Sequence, residues 1–322
     1  MHVVVTGAAG FIGAAFCRQL LDEGHSVAGI DCLLPDLYPA ATKRDRLTSL
    51  VGHPSFTAHH LDLRTASAAA VVAGSDVVVN LAAMPGLTPS WHKFGTYLDC
   101  NVRATQQLLD DLVREPGAHL VHGSSSSVYG AEAAGDEDQP PAPVSPYGVT
   151  KLAAEHLVSS YRTELGVATT VLRYFSVYGP AQRPDMAYAG FCRALIERRV
   201  LTVTGDGHQT RSNTFIDDVV SATLRACEVR ADGAVLNVCG PDEISVLEAI
   251  GVLADELAVP AVVEHVAARA GDQRRTRGSS QRARELLGWM PATAVRDGLR
   301  RQARHAAGSL TSGDLGQVRF PA

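Results

Sequence analysis

The sequence predicts an α/β protein: a doubly wound parallel sheet followed by a smaller C-terminal α/β lobe. Three observations carry that prediction. A glycine-rich turn, Gly7-Ala8-Ala9-Gly10-Phe11-Ile12-Gly13, follows a strand-like start. Short apolar runs then alternate with longer helical patterns through the first half, as a parallel sheet covered on both faces requires. After about Gly179 the alternation loses its regularity, which marks the start of the second lobe.

Taken in order, strands are expected at residues 2–6, 26–30, 55–60, 76–81, 119–122 and 169–174, and helices at 11–23, 43–51, 96–115 and 147–165. The 96–115 helix rests on apolar Leu98, Val102, Leu108, Leu109, Leu112 and Val113. Right-handed crossovers turn this series into a Rossmann fold over residues 1–178. Beyond it, helices near 187–199, 218–230 and 245–257 mix with strands near 201–204, 234–238 and 261–266. Residues 179–306 read mainly as a substrate lobe, with 212–240 returning to the first domain, and 307–322 as a frayed tail.

Composition narrows the class. With 46% hydrophobic and 20% charged residues, the 322-residue chain can bury a substantial core. A net charge of -5 and 6% aromatics argue against a nucleic-acid partner. Cys17, Cys32, Cys100, Cys192, Cys227 and Cys239 form no CxxC pair, so no metal site is expected, and scattered thiols fit a reducing cytoplasm. No apolar run is long enough to span a bilayer, and the start lacks a signal-peptide pattern.

The chemistry gathers at two places. Gly7, Gly10 and Gly13, with Phe11 and Ile12, would let a pyrophosphate approach a helix N-terminus. Asp31 stands where a carboxylate accepts from adenosine ribose hydroxyls and repels a 2′-phosphate, which favours NAD over NADP. Asp62-Leu63 and Leu81-Ala82-Ala83 would line the same cleft. The second place is the run Ser124–Ser127 followed by Tyr147 and Lys151. Residues at i and i+4 share a helix face, and a fixed ammonium favours a phenolate over a phenol whose free pKa is about 10. Asp136, Glu137 and Asp138 read as a solvated loop.

These motifs resemble the extended short-chain dehydrogenase/reductase family over nearly the whole chain. To those above are added Arg173-Tyr174-Phe175-Ser176-Val177-Tyr178-Gly179-Pro180, Gly205-Asp206-Gly207 with Arg211, Ile216-Asp217-Asp218-Val219, and Arg269-Ala270-Gly271-Asp272. The resemblance implies Tyr147 as catalytic base, Lys151 lowering its pKa and holding the nicotinamide ribose, Ser125 completing the triad, and Asn101 among the NAD contacts. It also implies a homodimer through the 96–115 and 147–165 helices.

Within the family, 4,6-dehydratases carry Asp-Glu before the Val-Tyr-Gly, and uronate decarboxylases carry Glu where this chain has Ser127. Here Ser126 and Ser127 occupy those places. What remains is the machinery of a nucleotide-sugar 4-epimerase, which oxidises C4 reversibly through a 4-keto sugar. Gln182–Ala187, Pro85–Trp91 and the 35–47 loop, with Tyr38, Lys43, Arg44 and Arg46, are similar to UDP-glucuronate 4-epimerases in particular. Ser176 replaces the Asn common in neutral-sugar enzymes, while Pro89 and Ala181 depart from the pattern. The implied substrate contacts are Pro85, Ser125, Ser126, Ser127, Ser176, Arg183, Arg211, Arg269 and Asp272. The alternatives are a UDP-glucose or UDP-N-acetylglucosamine 4-epimerase, then a decarboxylase, a 4,6-dehydratase or a non-catalytic NAD-binding protein.

Overall fold

A computed structural model describes residues 1–267 and 275–311. Seven strands form one parallel sheet: β1 (His2–Thr6), β2 (Ser26–Asp31), β3 (Phe56–His60), β4 (Val77–Asn80), β5 (His119–Ser125), β6 (Thr169–Tyr174) and β7 (Val235–Val238). Their order is β7-β6-β5-β4-β1-β2-β3. The chain winds outward from β1 in one direction, then returns to β4 and winds in the other. Successive residues of β1 feed opposite cores, as the two-residue period of a strand dictates. Val3 and Val5 pack with Phe16 and Leu20 of α1 (Phe11–Asp22), whereas Val4 packs with Leu108 and Leu109 of α2 (Ala104–Leu112). Helix α3 (Pro146–Leu165) joins the α2 side through Val158. The β1–β4 junction is the switch point, where an open α/β sheet leaves a crevice at its carboxyl ends. Thr6 Oγ1 closes that junction by donating to Asn80 Oδ1 at 2.7 Å and accepting the Ala82 N–H at 3.0 Å.

The second lobe contains α4 (Ala187–Ile196), α6 (Val246–Leu257) and α7 (Val295–Thr311), while α5 (Ile216–Val229) packs beside α1. A four-stranded sheet runs in the order Glu243–Ser245, Thr210–Ser212, Arg275–Gly278, Glu132–Gly135. Strands Leu201–Thr204 and Val263–Val266 pair separately. Among the described residues, no helix is long and apolar enough to cross a membrane.

Three expectations change. The 96–115 helix is composite: Phe94–Leu98 is α-helical, Asp99–Arg103 is a π-turn and α2 follows. The wider turn aims Asn101 inward, where its side chain accepts from the Met84 N–H at 2.7 Å and donates to the Met84 carbonyl and to Thr150 Oγ1. The tail expected from 307 is helical as far as Thr311, because α7 carries on; 312–322 lie outside the described residues. The acidic loop is not simply solvated. Residues 132–135 are a strand, and the Glu137 carboxylate is 1% exposed, accepting the Asn237 N–H at 2.5 Å. Tertiary pairing with β7 overrides local polarity here.

Glu137→Ala therefore leaves a buried amide without an acceptor and is expected to cost about 1–3 kcal/mol in urea unfolding. A change within about 0.5 kcal/mol would restore the surface-loop reading.

Candidate active site

The switch-point crevice is a cleft of about 580 Å³ running from the glycine turn to the second lobe. At one end Gly7 takes φ +69°. A Cβ there would lie 2.9 Å from the Leu81–Ala82 backbone, and one on Gly13 would lie 2.2 Å from the Gly7 carbonyl. No side chain fits either position, so the turn folds onto the end of β4, and α1 begins at Phe11 after an extended Gly10 that offers no side-chain cap to its first amides. Asp31 secures the turn, accepting from the Ala9 N–H at 3.0 Å and the Leu33 N–H at 2.8 Å. Asp62 is gripped by Arg64, whose Nε and terminal nitrogen reach both carboxylate oxygens at 2.6–3.1 Å. That grip holds the Asp62 carboxyl below the usual range. Phe11, Ile12, Leu63, Leu81, Ala82 and Ala83 complete the lining. The turn, two carboxylates and an apolar lining fit an adenine dinucleotide.

At the other end β5 stops in Ser125, whose extended backbone caps a 3-10 turn, Ser126–Tyr129. Ser125 Oγ accepts the Ser127 N–H at 3.1 Å and donates to Ser127 Oγ at 3.2 Å. Helix α3 begins at Pro146 because Ser145 caps it, its Oγ accepting the Gly148 N–H at 3.1 Å. One turn in, Tyr147 and Lys151 both line the cleft. Tyr147 stands edge-on to Tyr97, which donates to the Pro85 carbonyl. Lys151 is 3% exposed and donates to the Gly123 carbonyl at 2.6 Å.

Electrostatics refine the sequence reading. Burial pushes the Tyr147 phenol up, while its hydrogen bond with Ser125 and the charge of Arg183 pull it down. The Lys151 ammonium donates to the Gly123 carbonyl, and the charge of Arg183 favours the phenolate. Arg183 is in turn paired with Asp185 at 2.8 and 3.0 Å. Burial pulls Lys151 down to about 8, opposed by Glu155.

Ser126, Ser127, Ser176, Arg183 and Arg211 also line the cleft, Ser176 from a left-handed φ of +29°. Asn101 does not; its three bonds make it a strut between the Met84 loop and α3. Arg269 and Asp272 lie outside the described residues. Sequence reasoning missed Arg64, Asp185 and Glu155. The first two stand two residues from Asp62 and Arg183, and Glu155 stands one turn beyond Lys151, so spacing was the available signal.

Fold and site together define a dinucleotide-dependent enzyme built around a tyrosine–lysine helix. Residues 3–239 match the NAD dependent epimerase/dehydratase family. The chain belongs to that family and is a nucleotide-sugar epimerase whose cofactor is NAD. It is 36% identical over 318 residues to a Bacillus subtilis (strain 168) protein described as an uncharacterized UDP-glucose epimerase, YtcB, covering 98% of this chain and 100% of that one. It is 32% identical over 306 residues to a UDP-glucuronate 4-epimerase of Thermodesulfobacterium geofontis (strain OPF15), covering 93% and 94%. A crystal structure of UDP-glucuronic acid 4-epimerase from Bacillus cereus, in complex with UDP-glucuronic acid and NAD, superposes with a TM-score of 0.92. It is 36% identical and covers 96% of this chain and 100% of that chain.

Gly13→Ala drives a methyl into the Gly7 carbonyl. The purified variant should retain its circular dichroism but lose most of its NAD, read by release and chromatography; full NAD occupancy would refute the cradle. Arg183→Met removes the cation beside Tyr147, so the phenol should ionise less readily. The acid limb of the kcat profile should move to higher pH, and an unmoved limb would count against Arg183.

Proposed function

We propose that the enzyme interconverts UDP-glucuronate and UDP-galacturonate by epimerisation at C4. The observation that carries this reading is the chemistry around Tyr147. Among the described residues lining the cleft, the carboxylates are Asp31, Asp62 and Asp185. The first two are at the adenosine end, and Asp185 is held by Arg183. Neither elimination of water nor decarboxylation finds an acid–base carboxylate at the serine turn. Three serines and a guanidinium suit an anionic sugar substituent, because charge-assisted hydrogen bonds are the strong ones.

Tyr147, as phenolate, removes the O4 proton, with Ser125 bonded to the same oxygen. Bound NAD would supply the hydride chemistry at C4, as acceptor in one direction and donor in the other. Lys151, whose ammonium donates to the Gly123 carbonyl, would hold the nicotinamide ribose. Arg211, and Arg269 beyond the described residues, anchor the diphosphate while the sugar turns, so both faces of C4 meet the same tyrosine. Tyr147 then returns the proton. Asp272 takes the nucleotide ribose. A homodimer through the 96–115 and 147–165 helices accompanies this reading. A UDP-glucose 4-epimerase is the second reading, favoured by the likeness to the Bacillus subtilis protein.

A panel of UDP-glucuronate, UDP-glucose and UDP-N-acetylglucosamine followed by NMR separates the two. The galacto epimer of the uronate should grow in without added NAD; turnover of the neutral sugars alone would overturn the uronate assignment, and release of carbon dioxide would indicate a decarboxylase. Tyr147→Phe should lower turnover about 10²–10⁴-fold.

A further inference from the structure

Glu155 touches neither the cofactor turn nor the serine–tyrosine contact, yet it is 7% exposed and engaged by Ser124 and Arg173. It lies one helical turn beyond Lys151 on α3. Its carboxylate accepts the Ser124 hydroxyl of β5 and is forked by Arg173 of β6, with contacts of 2.7, 3.0 and 3.3 Å. Arg173 in turn donates to Tyr129 Oη at 2.8 Å, and Tyr129 donates to Asn237 Oδ1 of β7 at 2.8 Å. One carboxylate thus joins α3 to strands β5 and β6 and, through Arg173 and Tyr129, to β7.

We propose that Glu155 is a positioning residue for the tyrosine–lysine pair, holding Lys151 as an ammonium and fixing α3 against the strand end that carries Ser125. The inference rests on the reading of Tyr147 and Lys151 as the reacting pair. Among the described groups around Lys151, Glu155 is the carboxylate, one turn along α3, and its charge, shared with Arg173, favours the ammonium. From β5 it meets the Gly123 carbonyl and His122, which burial keeps neutral. On its own helix are Tyr147, a phenol raised by burial, and Glu155. Arg173, from β6, is cationic and is spent on Glu155 and Tyr129. A buried ammonium without a counter-charge gives up its proton more readily. The ammonium form is present below its pKa and lost above it, so whatever weakens it moves the loss to lower pH.

The test uses the NAD-loaded full chain, with whichever nucleotide sugar the wild type turns over; if it turns over none, the functional reading fails on its own, before any variant is made. Glu155→Gln keeps the shape and removes the charge. The alkaline limb of its kcat profile should move down by about 1 pH unit or more, while Glu155→Asp should bring it back toward the wild-type position. Because Glu155→Gln strands a buried Arg173 and could unfold, the double variant Glu155→Gln/Arg173→Met removes both charges and should show a shift in the same direction. A uniform loss of kcat with the limb in place, in either variant, would reduce Glu155 to a structural role and overturn the proposal. So would a wild type whose kcat shows no alkaline limb between about pH 6 and 10.

Discussion

The site depends on an ammonium taken out of water. Lys151 is 3% exposed, and an unpaired charge at that depth is expensive, so the surrounding chain has to receive it. The Gly123 carbonyl does so at 2.6 Å. A Cβ on Gly123 would press on the ends of the Leu81 and Tyr174 side chains, at 2.9 and 3.0 Å. The bond fixes the distance between α3 and β5, and with it the distance from Tyr147 to the serine turn. At the other end of the cleft the glycine cradle is set by an approach between backbones too close for a Cβ. The dinucleotide and the tyrosine meet in one cleft because both contacts hang on neighbouring strands of one sheet.

The charge pattern of the cleft follows from this. Burial raises the phenol and lowers the ammonium, which opposes the ionisation that proton removal at O4 needs. Arg183 and Ser125 work the other way on Tyr147, and Glu155 on Lys151. The pair is therefore poised by Ser125 and Arg183 from other segments and by Glu155 one turn along α3, as much as by its own spacing. Arg183 stands in two relations at once, to the phenol and to Asp185. Whatever sugar enters meets a field already shaped by that guanidinium, while the cleft carboxylates Asp62 and Asp185 are each paired with an arginine.

Much of this was legible in the sequence. The glycine turn, Asp31, Asp62, the serine run and the tyrosine–lysine spacing are local signals, and local signals survive without coordinates. The parallel sheet followed from alternation alone. The π-turn at Asp99–Arg103 was not legible, because an apolar period of helical type cannot distinguish a wide turn from a regular one. Asn101, placed by resemblance among the cofactor contacts, serves the Met84 loop instead. Glu137 read as solvated because its neighbours are acidic, yet a main-chain amide of β7 captures it. Arg64 and Glu155 stand at local spacings, two residues from Asp62 and one turn from Lys151, but the ties of Glu155 to Ser124 and Arg173 form only on folding.

The claim that one tyrosine and one cofactor serve both faces of C4 has a direct isotopic test. UDP-glucuronate carrying deuterium at C4 should be incubated with the enzyme alongside substrate labelled only in the uracil ring, and the products sorted by mass spectrometry. The account predicts that deuterium stays at C4 of the molecule that brought it, with no crossover and a slowed turnover. Loss of the label to solvent, or its appearance in the uracil-labelled population, would contradict it.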